Sequence, residues 1–108
     1  MLDIAPEQLR AVLDILQLHA PGRTVRFFGS RVKGDAKPFS DLDLAVMGSS
    51  PLGFRRLTEL REAFSESCLP FRVDIVDWAE TSEMFRDIIE EEFEEYVVAA
   101  EVARSIRQ

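Results

Sequence analysis

The sequence predicts an α+β (α/β-like) domain in which helices flank a small mixed β-sheet. Helical and strand-like hydrophobic periods alternate along the chain in the order α-β-α-β-α-β-α. The length of 108 residues fits one domain, residues 1–108, with a single modest core. A hydrophobic fraction of 46% is ordinary for a globular protein, so global disorder is not expected.

The charge of the chain narrows the classes of ligand. The formal net charge is −7, and such a surface repels nucleic-acid phosphate. We therefore expect no direct nucleic-acid binding, and favour a small-molecule ligand, a basic protein partner, or both.

The single cysteine, Cys68, cannot form an internal disulfide, which favours a reducing compartment. The N-terminus lacks a basic targeting region and no apolar run could span a bilayer, so a cytoplasmic location is expected.

The first half of the chain contains two predicted helices and a strand. Residues 6–18 have the apolar period of an amphipathic helix. Thr24 to Phe28 is rich in β-branched and aromatic residues, which predicts a short strand. Ser30 is a plausible N-cap for a short helix over Arg31 to Lys33, and Gly34 would end that helix.

The second half repeats this alternation. Asp41 to Met47 and Phe71 to Asp77 alternate apolar and polar residues, which predicts two strands with one apolar face each. Residues 53–66 have a helical period between them, which places Phe54 on the apolar side of the helix. Thr81 or Ser82 would cap a further helix.

The C-terminal part leaves alternatives open. Residues 91–98 could continue the preceding helix or form a short edge strand, and the last ten residues, Ala99 to Gln108, are predicted to be helical. An acidic run crosses this part, and it is either a solvated face or a surface complementary to a basic partner. The run consists of Asp87, Glu90, Glu91, Glu92, Glu94 and Glu95.

Carboxylates on two predicted strands form a candidate metal site. Asp41 and Asp43 are two positions apart, so on a strand their side chains share one face. Asp74 lies on the next strand, whereas Asp77 is a rival that falls on the opposite face and is interpreted as a turn or cap residue. Neighbouring carboxylates repel, and Mg²⁺ is the natural compensating charge. Two such ions, roughly 3.5–4 Å apart, would suit phosphoryl transfer.

A glycine-containing turn before these strands is a candidate phosphate site. Gly29 and Ser30 follow an apolar run, so their backbone N–H groups and the serine hydroxyl could bind the phosphates of a nucleotide. Arg31, Lys33 and Lys37 could neutralise phosphate charge. The alternative is that these three side chains are solvated surface charges.

The two candidate sites together resemble a known signature. Gly29-Ser30, then Gly34, then Ser40-Asp41-Leu42-Asp43-Leu44 resembles that of the DNA polymerase β-like nucleotidyltransferase superfamily. Val73-Asp74-Ile75 resembles the strand that carries this family's third carboxylate. Ser40 is counted among the nucleotide-binding candidates, although its simpler role is to shape the turn before the strand. The short length resembles the minimal nucleotidyltransferase (MNT) group.

The resemblance implies an activity and a partner. MNT proteins are often paired with helical HEPN-domain proteins in toxin–antitoxin modules, and characterised members transfer AMP from ATP to a tyrosine of the HEPN toxin. The resemblance further implies that Asp41 and Asp43 ligate Mg²⁺, and that Asp74 ligates one metal and helps to deprotonate the acceptor hydroxyl. The acceptor would come from a partner or a second copy. The alternative hypothesis is a nucleotide-binding module that neutralises its partner by direct contact.

Overall fold

The computed structural model describes residues 2–100. Helices and strands alternate through most of the chain, and a fourth strand follows the last helix. The elements are α1 (Pro6–His19), β1 (Thr24–Phe28), α2 (Ser30–Lys33), β2 (Leu42–Val46), α3 (Phe54–Ser65), β3 (Val73–Asp77), a 3-10 turn (Trp78–Glu80), α4 (Glu83–Glu91) and β4 (Glu94–Val97).

The four strands form one mixed sheet with the spatial order β3-β2-β1-β4. β1 runs antiparallel to β2 and to β4, whereas β2 and β3 are parallel. This confirms the predicted mixed sheet and adds a strand to the predicted order. Residues 91–98, for which the sequence left a helix or an edge strand open, contain the edge strand β4. Of the helix predicted over residues 99–108, positions 101–108 lie outside the described residues, and 99 and 100 have no helical structure.

The two faces of the sheet pack against different helices. Leu42, Leu44 and Val46 of β2 belong to the main core, together with buried residues of α1 and α3. Ala45, on the other face of β2, belongs to a smaller cluster with Phe28 and with Ile89 of α4. This alternation follows from the period of two in a strand. Because Asp43 shares its face with Ala45, the carboxylates lie on the α4 side of the sheet.

Two local predictions need correction, and one is confirmed. The N-cap of α2 is Gly29, with φ of 82°, so Ser30 begins the helix instead of capping it. Phe54 is not on the apolar side of α3 but is 85% exposed, because it starts the helix beyond the edge of the core. Of the two predicted caps of α4, Thr81 and Ser82, the structure has Ser82, whose hydroxyl accepts from the N–H of Phe85. Among the described residues, no helix is long and apolar enough to cross a membrane.

Candidate active site

The candidate site is built on the parallel pair of strands β2 and β3. Asp43 and Asp74 are direct partners in this register, so their side chains project from neighbouring positions on one face. Asp41 and Arg72 stand just before the two strands, where the N–H of Leu42 donates to the carbonyl of Arg72 over 2.9 Å. The structure therefore brings three carboxylates and one guanidinium together at the start of the parallel pair.

Asp43 is the carboxylate most affected by its surroundings. Burial, and after it the negative charges of Asp74 and Asp41, raise the pKa of Asp43 to about 6. Phe28, the last residue of β1, pairs with Asp43 from the other side. Asp74 itself is exposed, so it can be reached by a ligand from solvent.

Gly29 brings the turn after β1 directly against Asp43. A β-carbon built at position 29 would overlap Oδ2 of Asp43, and the positive φ also disfavours any other residue. The turn then starts α2 at Ser30. Strand order thus places the backbone of Gly29 and Ser30 on one side of Asp43 and the exposed Asp74 on the other.

Asp41 is held by a charged partner. Nη2 of Arg72 donates to Oδ2 of Asp41 over 3.0 Å, and the side chain of Arg72 is 81% exposed. This contact raises the pKa of the Arg72 guanidinium above its ordinary value, first through the hydrogen bond and then through the charge of Asp41. Sequence reasoning missed Arg72. The signal that could have found it is its position two residues before Asp74, which mirrors that of Asp41 before Asp43.

Arg31 has a different environment from the one expected of a phosphate ligand. Its side chain is 5% exposed and lies over the ring of Phe71. The guanidinium donates to the backbone carbonyls of Asp3, Pro38 and Ser40 over 2.8, 3.0 and 3.0 Å. In this structure, Arg31 therefore fixes the loop that leads into Asp41.

The other polar candidates lie around this loop and α2. Ser40 accepts from the backbone N–H of Lys37 over 2.8 Å, so it shapes the turn before β2. Lys33 is exposed, and its Nζ approaches Glu91 at 4.0 Å, which turns it towards the end of α4. Lys37 is also exposed. Of the predicted phosphate-binding residues, the structure brings Gly29 against Asp43, with Ser30 next to it at the start of α2, and gives Arg31 and Ser40 contacts within the loop.

Asp77 has the structural environment that the sequence suggested for it. It is 7% exposed, and its Oδ2 accepts from the N–H groups of Leu52 over 2.7 Å and Gly53 over 3.4 Å. It therefore fixes the loop before α3, on the other end of β3 from Asp74. This arrangement leaves Asp74 as the candidate third carboxylate.

An open cavity of about 700 Å³ lies beside Asp41 and Asp74. Apolar and aromatic side chains make up much of its wall, and two arginines stand among them. It is lined by Phe39, Asp41, Arg61, Phe64, Ser65, Leu69, Pro70, Phe71, Arg72, Val73 and Asp74. The cavity is large enough for part of a ligand or for a side chain of another protein.

The donor chemistry of the site fits a hard divalent cation. Carboxylate oxygens are the ligands that Mg²⁺ prefers, and a cation would offset the repulsion from Asp74 and Asp41 that, after burial, raises the pKa of Asp43. As they stand, no three potential ligand side chains of residues 2–100 are arranged to hold a metal ion. Oδ2 of Asp41 accepts from Arg72, so a guanidinium charge stands beside one of the three candidate ligands.

Comparison with known proteins gives a consistent family. The sequence profile of the family described as "Polymerase beta, Nucleotidyltransferase" matches residues 11–95. The chain is also similar to a Haemophilus influenzae protein named "Probable protein adenylyltransferase MntA". The two are 52% identical over 107 residues, which cover 99% of this chain and 91% of that protein.

The fold resembles that of a solved structure described as "Crystal structure of the toxin-antitoxin with AMP-PNP". The TM-score is 0.68, and the match covers 88% of this chain and 75% of that chain. At 22% identity this likeness shows a shared fold.

Proposed function

The chain belongs to the polymerase β nucleotidyltransferase family, and on this premise we propose that it transfers AMP from ATP to a hydroxyl of a partner protein. The acceptor we propose is a tyrosine of a HEPN-domain toxin, which makes this chain the antitoxin of the pair. The observation that carries the proposal is the position of Asp43, between the backbone of Gly29 and the carboxylate of Asp74.

In this reaction the triphosphate would bind on the Gly29 side of Asp43, and the acceptor hydroxyl on the Asp74 side. The backbone N–H groups at Gly29 and Ser30 would bind the triphosphate, because they follow a strand and open a helix. The acceptor hydroxyl would approach from the exposed side of Asp74. The oxygen of the acceptor hydroxyl would attack the α-phosphorus of ATP and form a new P–O bond, while the bond between the α-phosphorus and the leaving pyrophosphate breaks. The hydroxyl proton passes to the carboxylate of Asp74.

Asp41, Asp43 and Asp74 would hold Mg²⁺. The bound cation would neutralise charge on the attacking and leaving oxygens of the phosphoryl group. With a pKa of about 6, Asp43 is already mostly ionised at neutral pH, and a cation would favour this charged form further. Lys33 and Lys37 remain candidates for contact with the leaving pyrophosphate, since both are exposed near α2.

The names of similar proteins support the proposal of ATP as the nucleotide and of a toxin as the partner. A relative that is 52% identical to this chain is named "Probable protein adenylyltransferase MntA". The structure with the shared fold is described as a toxin-antitoxin with AMP-PNP, an ATP analogue. The partner would complete the site, since the cavity beside Asp74 is open to solvent.

The test is the transfer of label from [α-³²P]ATP to a purified HEPN-domain toxin supplied as the candidate partner, with Mg²⁺ present. We expect labelling by the wild type and at least a 100-fold loss in Asp41→Asn and Asp43→Asn, since each removes a metal-ligating charge. Asp14→Asn is the control, because Asp14 is exposed on α1 and has only a weak pair with Arg10. Persistent labelling by both site variants would refute the proposal, as would label on the partner without this protein.

A further inference from the structure

The side chain of Arg72 occupies one corner of the carboxylate group. Asp43 and Asp74 are cross-strand neighbours, and Asp41 and Arg72 lie two positions earlier in the chain, just before the same two strands. The four side chains thus make a two-by-two array in which Arg72 contributes the positive charge. Its guanidinium touches Asp41 at 3.0 Å, and the charge of Asp74 also acts on it.

The carboxylate of Asp41, which pairs with Arg72, is also one of the proposed ligands of the divalent cation. Arg72 engages Oδ2 of Asp41, and its positive charge would repel a cation that binds the same carboxylate, so the guanidinium and the metal oppose each other at this group. The main chain of Arg72 is fixed by its bond from Leu42, whereas the guanidinium is 81% exposed and free to turn into the open cavity.

We propose that Arg72 competes with the divalent cation for Asp41, pairing with this carboxylate in the metal-free protein and leaving it when the metal binds. The inference rests on the metal site of the proposed function and deepens it. Arg72 is then a positioning residue that keeps Asp41 near its ligand position while lowering the affinity for metal. Removing its charge should strengthen metal binding, which a purely structural arginine would not do.

The experiment measures Mn²⁺ binding to the purified protein by electron paramagnetic resonance, without nucleotide or partner. We expect Arg72→Gln to bind Mn²⁺ about two- to fivefold more tightly than the wild type, given the usual strength of an exposed ion pair. Arg55→Gln is the matched control. It removes the same charge from an exposed position on α3, so it separates the local effect from that of net charge.

A second arm tests that the competition acts through Asp41. In an Asp41→Asn background, Arg72→Gln should no longer tighten Mn²⁺ binding, because the contested carboxylate is gone. In NMR spectra of the wild type, Mg²⁺ should shift the Nε–H signal of Arg72 and leave that of Arg55 in place.

Equal or weaker Mn²⁺ binding by Arg72→Gln would overturn the inference, and so would the absence of Mn²⁺ binding in both proteins. Either result leaves the proposed function to be decided by the labelling of the partner, which is measured separately. If labelling fails while Arg72→Gln still gains affinity, the proposed transfer is wrong and the competition at Asp41 stands.

Discussion

The backbone of Gly29 lies so close to the carboxylate of Asp43 that a β-carbon at position 29 would overlap Oδ2. This contact joins the turn after β1 to the middle of the carboxylate group. It makes the glycine a requirement of the site as well as of the turn, because its φ of 82° and ψ of −157° fall where other residues are strained.

Gly29→Ala should therefore damage both folding and activity. We expect a loss of about 1–3 kcal/mol in the free energy of unfolding from backbone strain, and a more than tenfold loss of partner labelling by the folded fraction. Urea unfolding and labelling with radioactive ATP measure the two effects. Gly34→Ala is the control, since Gly34 also has positive φ (92°) but, its own neighbours in the chain aside, no atom lies within 4 Å of the place that its β-carbon would take. Equal labelling by the two variants would contradict the role given to the close approach.

The raised pKa of Asp43 predicts that the free energy of unfolding of the metal-free protein depends on pH. Its pKa is higher in the folded state, about 6, than the ordinary 3.8, so the folded state binds the proton more tightly. The stability of the folded state should then fall as pH rises from about 4 to about 6. Asp43→Asn removes this charge, and we expect it to stabilise the protein at pH 7.5 by about 1 kcal/mol, allowing for solvent screening of a half-buried group.

Urea unfolding in EDTA at pH 4 and pH 7.5 checks this prediction. The gain from Asp43→Asn should disappear at pH 4, where Asp43 of the wild type is protonated. Asp87→Asn is the control, because Asp87 is exposed on α4. A gain of equal size at both pH values would show that the effect does not come from the charge of Asp43.

The sequence was informative where the decisive interactions are local. β1 was predicted with the bounds that the structure has, because β-branched and aromatic residues fill it. The faces of β2 and β3 followed from alternation, which also placed Asp43 and Asp74 on one face once the strands were paired. The roles of these residues in metal binding and catalysis stay predictions.

Contacts between distant segments could not be read from local patterns. Glu94 to Val97 has no clear period, and it becomes a strand because β1 offers a free edge, where Arg26 pairs with Glu95 at 3.0 Å. Arg31 looked like a surface cation beside a phosphate turn. Its burial depends on loop carbonyls and on Phe71, which is far away in sequence.

The contacts of Arg31 predict a structural effect of its replacement. Arg31→Lys keeps the charge but cannot donate to the carbonyls of Asp3, Pro38 and Ser40 together, because an ammonium group lacks the planar fork of donors. We expect a loss of about 2–3 kcal/mol in the free energy of unfolding, measured in urea. Lys33→Ala, at an exposed position of α2, should cost less than about 0.5 kcal/mol. Unchanged stability with weakened nucleotide binding would instead return Arg31 to the phosphate site.

Asp74 and Asp77 occupy opposite ends of β3, and their substitutions should separate catalysis from stability. Asp77→Ala leaves the N–H groups of Leu52 and Gly53 without their acceptor, so we expect a loss of about 1–3 kcal/mol in unfolding free energy. Labelling by the folded fraction should stay within about twofold of the wild type, because the loop before α3 is away from the carboxylate group.

Asp74→Asn should instead impair labelling and spare stability, since Asp74 is exposed and its charge contributes to the raised pKa of Asp43. It should leave stability unchanged or slightly higher and reduce labelling at least 100-fold, because the proton acceptor is lost. Urea unfolding and partner labelling of both variants decide between them. Loss of labelling in Asp77→Ala with full labelling in Asp74→Asn would exchange the roles of the two aspartates.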